Sequence, residues 1–382
     1  MSKTVFLIAG EPSGDALGAS LIKGLKSQGV QPDAITGVGG DLMQVEGLKS
    51  IIPMEELCVM GIWEVIWQLP RLIKLIHGMV EEIEKRQPDI LVTIDLPDFN
   101  FRVAEKLKKR GVFKGKIIHY VAPTVWAWRP DRAKKIAAYL DGVMCLFPFE
   151  PPYFEKHGLK AQYVGHPLIE MDKSAFEGQT FRKARGIDEE DMCLGVFFGS
   201  RERELNAHKK TFLETMEALE EQYSNIQFII PTLPSLEFDL LELLKECNQS
   251  VHVVVDQQKK WQAMTACDAG LAVSGTIGLE LAYMGTPHII GYKPHPITGL
   301  ILKMVVKVKY AHLANILLEE EVVPEFLQMK CSTTHLLPAL MELLNYPEAQ
   351  SKQKEAFTKV EQMLRLEGGK TPSEEAASFV LS

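Results

Sequence analysis

The chain has 382 residues, 46% of them hydrophobic and 24% charged, with a formal net charge of −8. That length exceeds one ordinary domain and predicts two, and the composition is that of a globular enzyme, not of a fibrous or disordered chain. The acidic balance argues against a general nucleic-acid binder.

The first element is an apolar run at 4–9, which Met1-Ser2-Lys3-Thr4 enters directly, so no secretory signal is expected. Further strands are predicted at 34–38, 90–95, 116–121, 142–147 and 162–164. The character changes near Gly165-His166-Pro167, and strands follow at 193–198, 226–230, 251–255, 270–273 and 288–291. Amphipathic helical stretches separate most of them. The fold class expected is therefore α/β, as two doubly wound, Rossmann-like domains facing across a cleft. Their expected bounds are 1–168 and 190–348, with an acidic, non-periodic linker at about 170–191 and C-terminal helices at 349–382 returning to the first domain. In that tail Gly368-Gly369 breaks the helix, and Thr371-Pro372-Ser373-Glu374 has the pattern of a capping box that starts the next one.

Six cysteines (58, 145, 193, 247, 267 and 331) show no C-x-x-C spacing, so neither a disulfide framework nor a zinc site is indicated, and a reduced cytoplasmic compartment fits. The net charge conceals two basic tracts. Residues 101–116 carry seven Lys or Arg against Glu105 alone; between Glu280 and Glu319 there is no acid, while Lys293, Lys303, Lys307 and Lys309 alternate with apolar residues. The second pattern suits a surface pressed onto anionic lipid or a phosphorylated ligand. The stretch 59–74, rich in Trp, Ile and Leu, is interrupted by Glu64, Pro70, Arg71 and Lys74, too often for a membrane span. It reads either as two core helices hinged at Pro70 or as an exposed apolar flap.

Candidate site residues lie where predicted strands end. Gly10-Glu11-Pro12-Ser13-Gly14-Asp15 turns from the first strand into a helix and offers backbone N–H groups, a hydroxyl and two carboxylates, without the dinucleotide fingerprint G-x-G-x-x-G. Asp95 closes a buried apolar strand, a costly place for a carboxylate unless it is paired or working, which makes it the preferred general base. Asp98 and Asn100 suit capping of the following helix better than Asp95 does. Trp126 and Trp128, followed by Arg129, could form a wall and an anion anchor for a sugar phosphate. At Gly199-Ser200-Arg201 the glycine and serine let backbone approach a phosphate that the guanidinium neutralises; no Walker loop is present. At Ser274-Gly275-Thr276 a strand runs into a helix start with free N–H groups, suited to a diphosphate, and Glu280 one turn on could accept hydrogen bonds from a ribose.

The motifs GEPSGD (10–15), GVGGDLM (37–43), VMGIWEV (59–65), IDLPDFN (94–100), HYVAPTVWAWR (119–129), FPFEPPYFEKHG (147–158), YVGHP (163–167), GSRERE (199–204), SGTIGLE (274–280) and NILLEEEVVPEFLQ (315–328) fall in one order. Carrying them, the chain resembles the lipid-A-disaccharide synthases from residue 5 to about 328. The resemblance implies a two-domain glycosyltransferase of the B type. It would join UDP-2,3-diacylglucosamine to 2,3-diacylglucosamine 1-phosphate, releasing UDP and leaving a β-1,6-linked disaccharide for lipid A. It also implies critical roles for Asp95 and Arg201 and a substrate loop holding Ser13 and Gly14; Asp98, Trp126 and Arg129 are further substrate-binding candidates. Nucleotide binding is expected from Gly199, Ser200, Ser274, Gly275, Thr276, Glu280 and Asn315. The Arg203-Glu204 context departs from the family loop, which often carries small residues there.

On that reading an acceptor 6-hydroxyl attacks the anomeric carbon opposite UDP and configuration inverts. Asp95 takes the proton late, a contribution of ~10²–10⁴-fold for such bases. Arg201 and the helix start at Ser274–Thr276 stabilise departing UDP. No D-x-D pair points to a bound metal, and no cofactor is expected. The acylated substrates place the protein at the cytoplasmic face of the inner membrane, on its phospholipid surface, with homodimerisation left open. Two rivals remain: a UDP-N-acetylglucosamine 2-epimerase with the same architecture, and a non-catalytic membrane scaffold that binds a nucleotide sugar.

Overall fold

The structure is a computed structural model that describes residues 3–57, 62–245, 250–293 and 309–382, with backbone only for 62–69. The chain divides into two compact units, one of residues 1–170 with 364–382 and one of residues 171–363.

The first unit is built on β1 (Val5–Ile8), β2 (Ile35–Val38), β3 (Ile90–Ile94), β4 (Lys116–Tyr120), β5 (Gly142–Cys145) and β6 (Lys160–Tyr163). They form one parallel sheet in the order β2-β1-β3-β4-β5-β6. All four residues of β1 are fully buried, as expected for a parallel strand covered on both faces. Alternation sends Phe6 and Ile8 into one core and Val5 and Leu7 into the other. The chain passes from β1 outward to β2 and then crosses to β3 on the other side, so strand order reverses between β1 and β3. The carboxyl ends flanking such a reversal form a crevice open to a ligand.

The second unit repeats the plan with β7 (Met192–Phe197), β8 (Ile226–Pro231), β9 (Val251–Val254), β10 (Ala269–Ala272), β11 (His288–Tyr292) and β12 (Glu325–Leu327). The parallel order is β12-β11-β10-β7-β8-β9, and the reversal falls between β7 and β10, where Ala272 pairs with Phe197. Each expected strand is present within one or two residues at most ends. β12 was not anticipated, because its three half-buried residues carry no readable alternation.

Three expectations are corrected here. The segment at 170–191 is not a bare linker: helix Gly178–Arg185 buries Phe181 and Arg182 in the second unit. There Arg182 donates to the Ala266 carbonyl and pairs with Asp268 at 2.8 Å. The tail from 349 does not return as one piece. Helix Pro347–Leu364 stays with the second unit up to Met363, because Phe357 packs beside Met264 and Leu281 and Gln353 clasps both backbone groups of His288. Only 364–382 return. Pro70 marks no hinge between helices, since one helix runs through it from Ile62 to Arg86 and buries Ile76, Met79, Val80 and Ile83.

The capping box at Thr371 and Glu374 forms as expected, and Gly368 breaks the preceding segment at φ 74°. Helix Pro372–Leu381 then packs on Pro12–Ser27, where Gln28 donates to the Glu374 carbonyl at 2.7 Å. Cys145, Cys193, Cys267 and Cys331 are free and buried. Cys58, Cys247, Lys303, Lys307 and the flap side chains at 61–69 lie outside the described residues.

Candidate active site

The loop after β1 and the loop after β3 meet at the first reversal. Pro12 occupies the first turn of helix Pro12–Ser27, where its missing N–H costs nothing. Ser13 is exposed, and its hydroxyl donates to Asp95 Oδ2 at 3.4 Å. Gly14 is buried against the carbonyl of Ile94. Of the loop's two carboxylates, Asp15 is committed to structure. It is 4% exposed and accepts the backbone N–H groups of Gly40, Leu42 and Met43 at 2.9–3.0 Å, which anchors the start of helix Asp41–Val45.

Asp95 sits half-buried at the end of β3 with φ 48°, followed by Leu96 with φ 44°. Two consecutive non-glycine residues in the left-handed region cost on the order of 1–3 kcal/mol each, and such turns persist only where surroundings over-determine them. Here the Asp95 N–H donates to the Tyr120 carbonyl at 2.9 Å. The buried amide of Asn100 donates to the carbonyls of Ile94 (3.2 Å) and Asp95 (2.7 Å). Helix Pro97–Arg110 starts from Leu96 with no side-chain cap. Neither Asp98 nor Asn100 caps it. Asp98 instead projects into solvent, 3.5 Å from Arg132.

The loop after β4 divides its two tryptophans. Trp126 faces inward: its indole N–H donates to Glu150 Oε1 at 3.1 Å and its ring meets Phe149 edge-on. Glu150 is 2% exposed and also accepts the N–H groups of Leu146 and Phe147 at 3.0 Å. Burial pushes its carboxyl up to about 7, against the pull of those three donors. Trp128 is the exposed ring, with the Arg129 guanidinium 4.3 Å from its centroid. Of the wall and anchor expected at Trp126, Trp128 and Arg129, the ring left exposed beside the guanidinium is Trp128. Glu150 escaped sequence reasoning, because in FPFEPP nothing marks one acid among prolines as buried.

At the second reversal the loops after β7 and β10 face each other. Gly199 has φ 100°, and a Cβ there would lie 2.3 Å from Glu204 Oε2, so only glycine fits. Glu204 folds back over the start of helix Glu202–Gln222, accepting the Ser200 N–H at 3.0 Å and pairing with Arg201 at 3.0 Å. Arg201 stays mostly exposed on its side chain. The loop thus holds a carboxylate where an anionic ligand would bind, which is the structural content of the departure seen at 203–204. Below it His208 is buried; its Nδ1–H donates to the Glu204 carbonyl, and its Nε2 accepts the Lys293 N–H, both at 2.7 Å.

Helix Thr276–Met284 begins at exposed Gly275 with no side-chain cap among the described residues, and of its first turn the Gly278 N–H turns back to the Gly275 carbonyl at 3.3 Å. Ser274 donates to the Ala311 carbonyl at 3.3 Å. Gly278 packs so closely on His312 that a Cβ would lie 2.4 Å from Nε2. His312 Nδ1 accepts the Ala314 N–H, and its Nε2–H faces His288 Nε2 at 2.9 Å; His288 Nδ1–H donates in turn to the Thr286 carbonyl. Every ring nitrogen is used with both rings neutral. Burial lowers His288 to about 4, and burial together with His288 holds His312 well below its ordinary value.

Two expected nucleotide contacts are modified. Glu280 pairs with Lys260 at 2.7 Å, both side chains nearly buried, so one carboxylate oxygen is already engaged. Asn315 is fully buried and its amide is spent: Nδ2 donates to Val323 O and Glu325 Oε1 at 2.8 Å, and Oδ1 accepts from Val322 and Val323 at 2.9 Å. No direct ligand contact is open to it. It fastens the 322–325 segment whose Glu325 also receives the N–H groups of Ala311 and His312.

The family model described as lipid-A-disaccharide synthetase matches residues 5–379. The chain is 40% identical over 378 residues to the lipid-A-disaccharide synthase of Rhodospirillum centenum, covering 99% of this chain and 94% of that one. It is 35% identical over 377 residues to that of Aliivibrio fischeri, covering 98% and 96%. Among solved structures, the UDP-GlcNAc 2-epimerase of Neisseria meningitidis bound to UDP-GlcNAc superposes with a TM-score of 0.61 at 12% identity, over 95% of this chain and 99% of that one. HepE of Anabaena in complex with UDP-glucose gives 0.58 at 12%, over 100% and 99%. At such identity these two establish the shared fold alone.

Proposed function

We propose, for a chain that belongs to the lipid-A-disaccharide synthetase family, that Asp95 is the general base and Arg201 the leaving-group cation of a single-displacement sugar transfer. The protein is a glycosyltransferase of lipid A biosynthesis. It joins UDP-2,3-diacylglucosamine to 2,3-diacylglucosamine 1-phosphate and releases UDP.

The observation that carries the assignment of the base is the Asp95 carboxylate, held half-exposed on a strained turn at the β1–β3 reversal while the neighbouring Asp15 is consumed by backbone N–H groups. As the acceptor hydroxyl bonds to the anomeric carbon, its proton passes to Asp95 and the electron pair of the breaking C–O bond leaves on the UDP phosphate. Ser13, 3.4 Å from Asp95, orients the carboxylate or the incoming hydroxyl. Charge growing on UDP is met by the N–H groups at Gly275–Thr276 and by Arg201, released from Glu204 as the phosphate enters. Trp128 and Arg129 offer a ring face and a cation to the acceptor phosphate.

The reaction takes place at the cytoplasmic face of the inner membrane, with the protein peripherally attached. Among the described residues no helix is long and apolar enough to cross a bilayer. Exposed Ile73 beside Arg102, Lys106 and Lys109 on the neighbouring helix supports contact with an anionic lipid surface. The test is UDP release in detergent from UDP-2,3-diacylglucosamine with and without the acceptor. Acceptor-dependent release with a disaccharide product is expected, and Asp95→Ala abolishes it while UDP binding persists. Tight UDP binding with no release under either condition overturns the reading in favour of an epimerase or a scaffold, and loss of UDP binding in Asp95→Ala makes Asp95 structural.

A further inference from the structure

We infer that Asn100 is the positioning residue that aims Asp95, an inference that rests on Asp95 being the base. Asn100 lies on the first turn of helix Pro97–Arg110 and is fully buried. Its Nδ2 spans the strained turn, donating to the carbonyls on both sides of the Asp95 nitrogen, at 3.2 Å to Ile94 and 2.7 Å to Asp95. Its own N–H donates to the Leu96 carbonyl at 3.0 Å, so one residue grips three successive carbonyls.

The other end of the same amide shows what the residue is kept for. Oδ1 is buried with no hydrogen-bond partner among the described residues. An unpaired buried acceptor weakens a fold, and an apolar side chain of similar volume would avoid it. The residue's polar return is the pair of donors directed at the Asp95 turn. Asn100 is the side chain that bonds the backbone carbonyls of this turn, and without that pair the strain of Asp95 and Leu96 at φ 48° and 44° is less well offset and the turn relaxes toward ordinary backbone angles. The carboxylate then swings away from Ser13 and from the hydroxyl it must deprotonate. Displacement of a catalytic group by about 1 Å costs on the order of 10²-fold in rate.

The isosteric change Asn100→Asp separates geometry from shape. It puts an oxygen in place of Nδ2, facing two carbonyl oxygens, which repels while ionised. Once protonated, the same oxygen donates to Asp95 O and restores half of the clamp. Asn100→Ala removes the clamp at every pH.

The experiment measures kcat and KM for wild type, N100A, N100D, D95N and N100A/D95N between pH 5.5 and 8, per mole of folded enzyme, with UDP binding by calorimetry. N100A is expected to lower kcat about 10–100-fold with KM and UDP affinity within about threefold. In the D95N background it changes the residual rate less than twofold, because residues acting as one unit are non-additive. N100D regains activity as pH falls. Equal losses from N100A with and without Asp95, or an unchanged kcat in N100A, overturn the inference. If N100A does not fold or D95N leaves no measurable rate, the N100D profile decides: one parallel to wild type overturns it. Full activity in D95N instead refutes the assignment of Asp95 itself.

Discussion

Lowering the pH from 7 to 5 is expected to loosen the second unit before the first. His288 is fully buried and neutral, its pKa lowered from 6.5 to about 4, chiefly by burial. The native state therefore binds fewer protons than the unfolded chain. The stabilisation from keeping this ring neutral is complete above pH 6.5 and is lost as pH falls toward 4. For a shift of that size the loss between pH 7 and pH 5 is about 2 kcal/mol from His288 alone. Burial lowers His208, His252 and His312 in the same unit, so all three act in the same direction. His312 already carries its proton on Nε2, so a second goes on Nδ1 and costs the Ala314 N–H, and a proton added to His288 Nε2 faces the His312 Nε2–H.

The first unit carries His119, lowered to about 3, and His166, lowered to about 4. It also holds a counterweight. Glu150 is raised from 4.5 to about 7, so the native state holds an extra proton and its contribution grows as pH falls from 7 toward 4.5. Between pH 7 and 5 that offsets about 2 kcal/mol. That offset belongs to the first unit, where Glu150 lies. Against a typical total of about 5–15 kcal/mol, the difference is large enough to measure. Hydrogen exchange read by mass spectrometry on the full chain separates the units; peptides from 171–363 should lose protection between pH 7 and 5 earlier than those from 1–170, after correction for intrinsic exchange. Urea unfolding at both pH values gives the magnitude. Equal protection loss in both units, or a stability that is flat across this range, refutes the assignment of neutral buried histidines.

Two further predictions follow from packing. Gly278→Ala forces a methyl into His312 and should destabilise by about 1–3 kcal/mol, with weaker UDP binding. Gly275→Ala, three residues away, meets nothing within 4 Å and has extended backbone, so its Tm should match wild type. Thermal scans with titration calorimetry check both, and a stable Gly278→Ala contradicts the close approach. Glu150→Ala leaves one buried and two part-buried donors without their acceptor, at up to about 1–3 kcal/mol each, and should lower Tm far more than Trp126→Phe, which removes one donor and its bond. Similar Tm values for the two variants would mean that Glu150 serves Trp126 alone.

The positions of the strands along the chain could be read in the sequence because they rest on local signals. A strand such as Val5–Ile8, buried on both faces, must be apolar throughout, and the loop after it must contain residues that turn sharply. Those signals located the Asp95, Gly199 and Ser274 loops and the capping box at Thr371. The short strand Glu325–Leu327 was invisible for the complementary reason: it is half-buried, and Glu325 is drawn inward by N–H groups at 311 and 312 rather than by any pattern of its own.

Which polar side chains remain free for chemistry was decided by tertiary structure alone. Asp15 and Asp95 both read as carboxylates beside a ligand, yet the first is consumed by residues 25 to 28 positions away, while the second is clamped through its backbone and keeps its oxygens half-exposed. Asn315 and Glu280 fall in the right motifs but spend their groups on Val323, Glu325 and Lys260. Trp126 and Trp128 differ only in which way the loop faces. Apolar periodicity and turn chemistry act over a few neighbouring residues, so they survive in the linear sequence. The partner that satisfies a buried donor or acceptor is set by chain segments that meet only on folding, and no local pattern encodes that meeting.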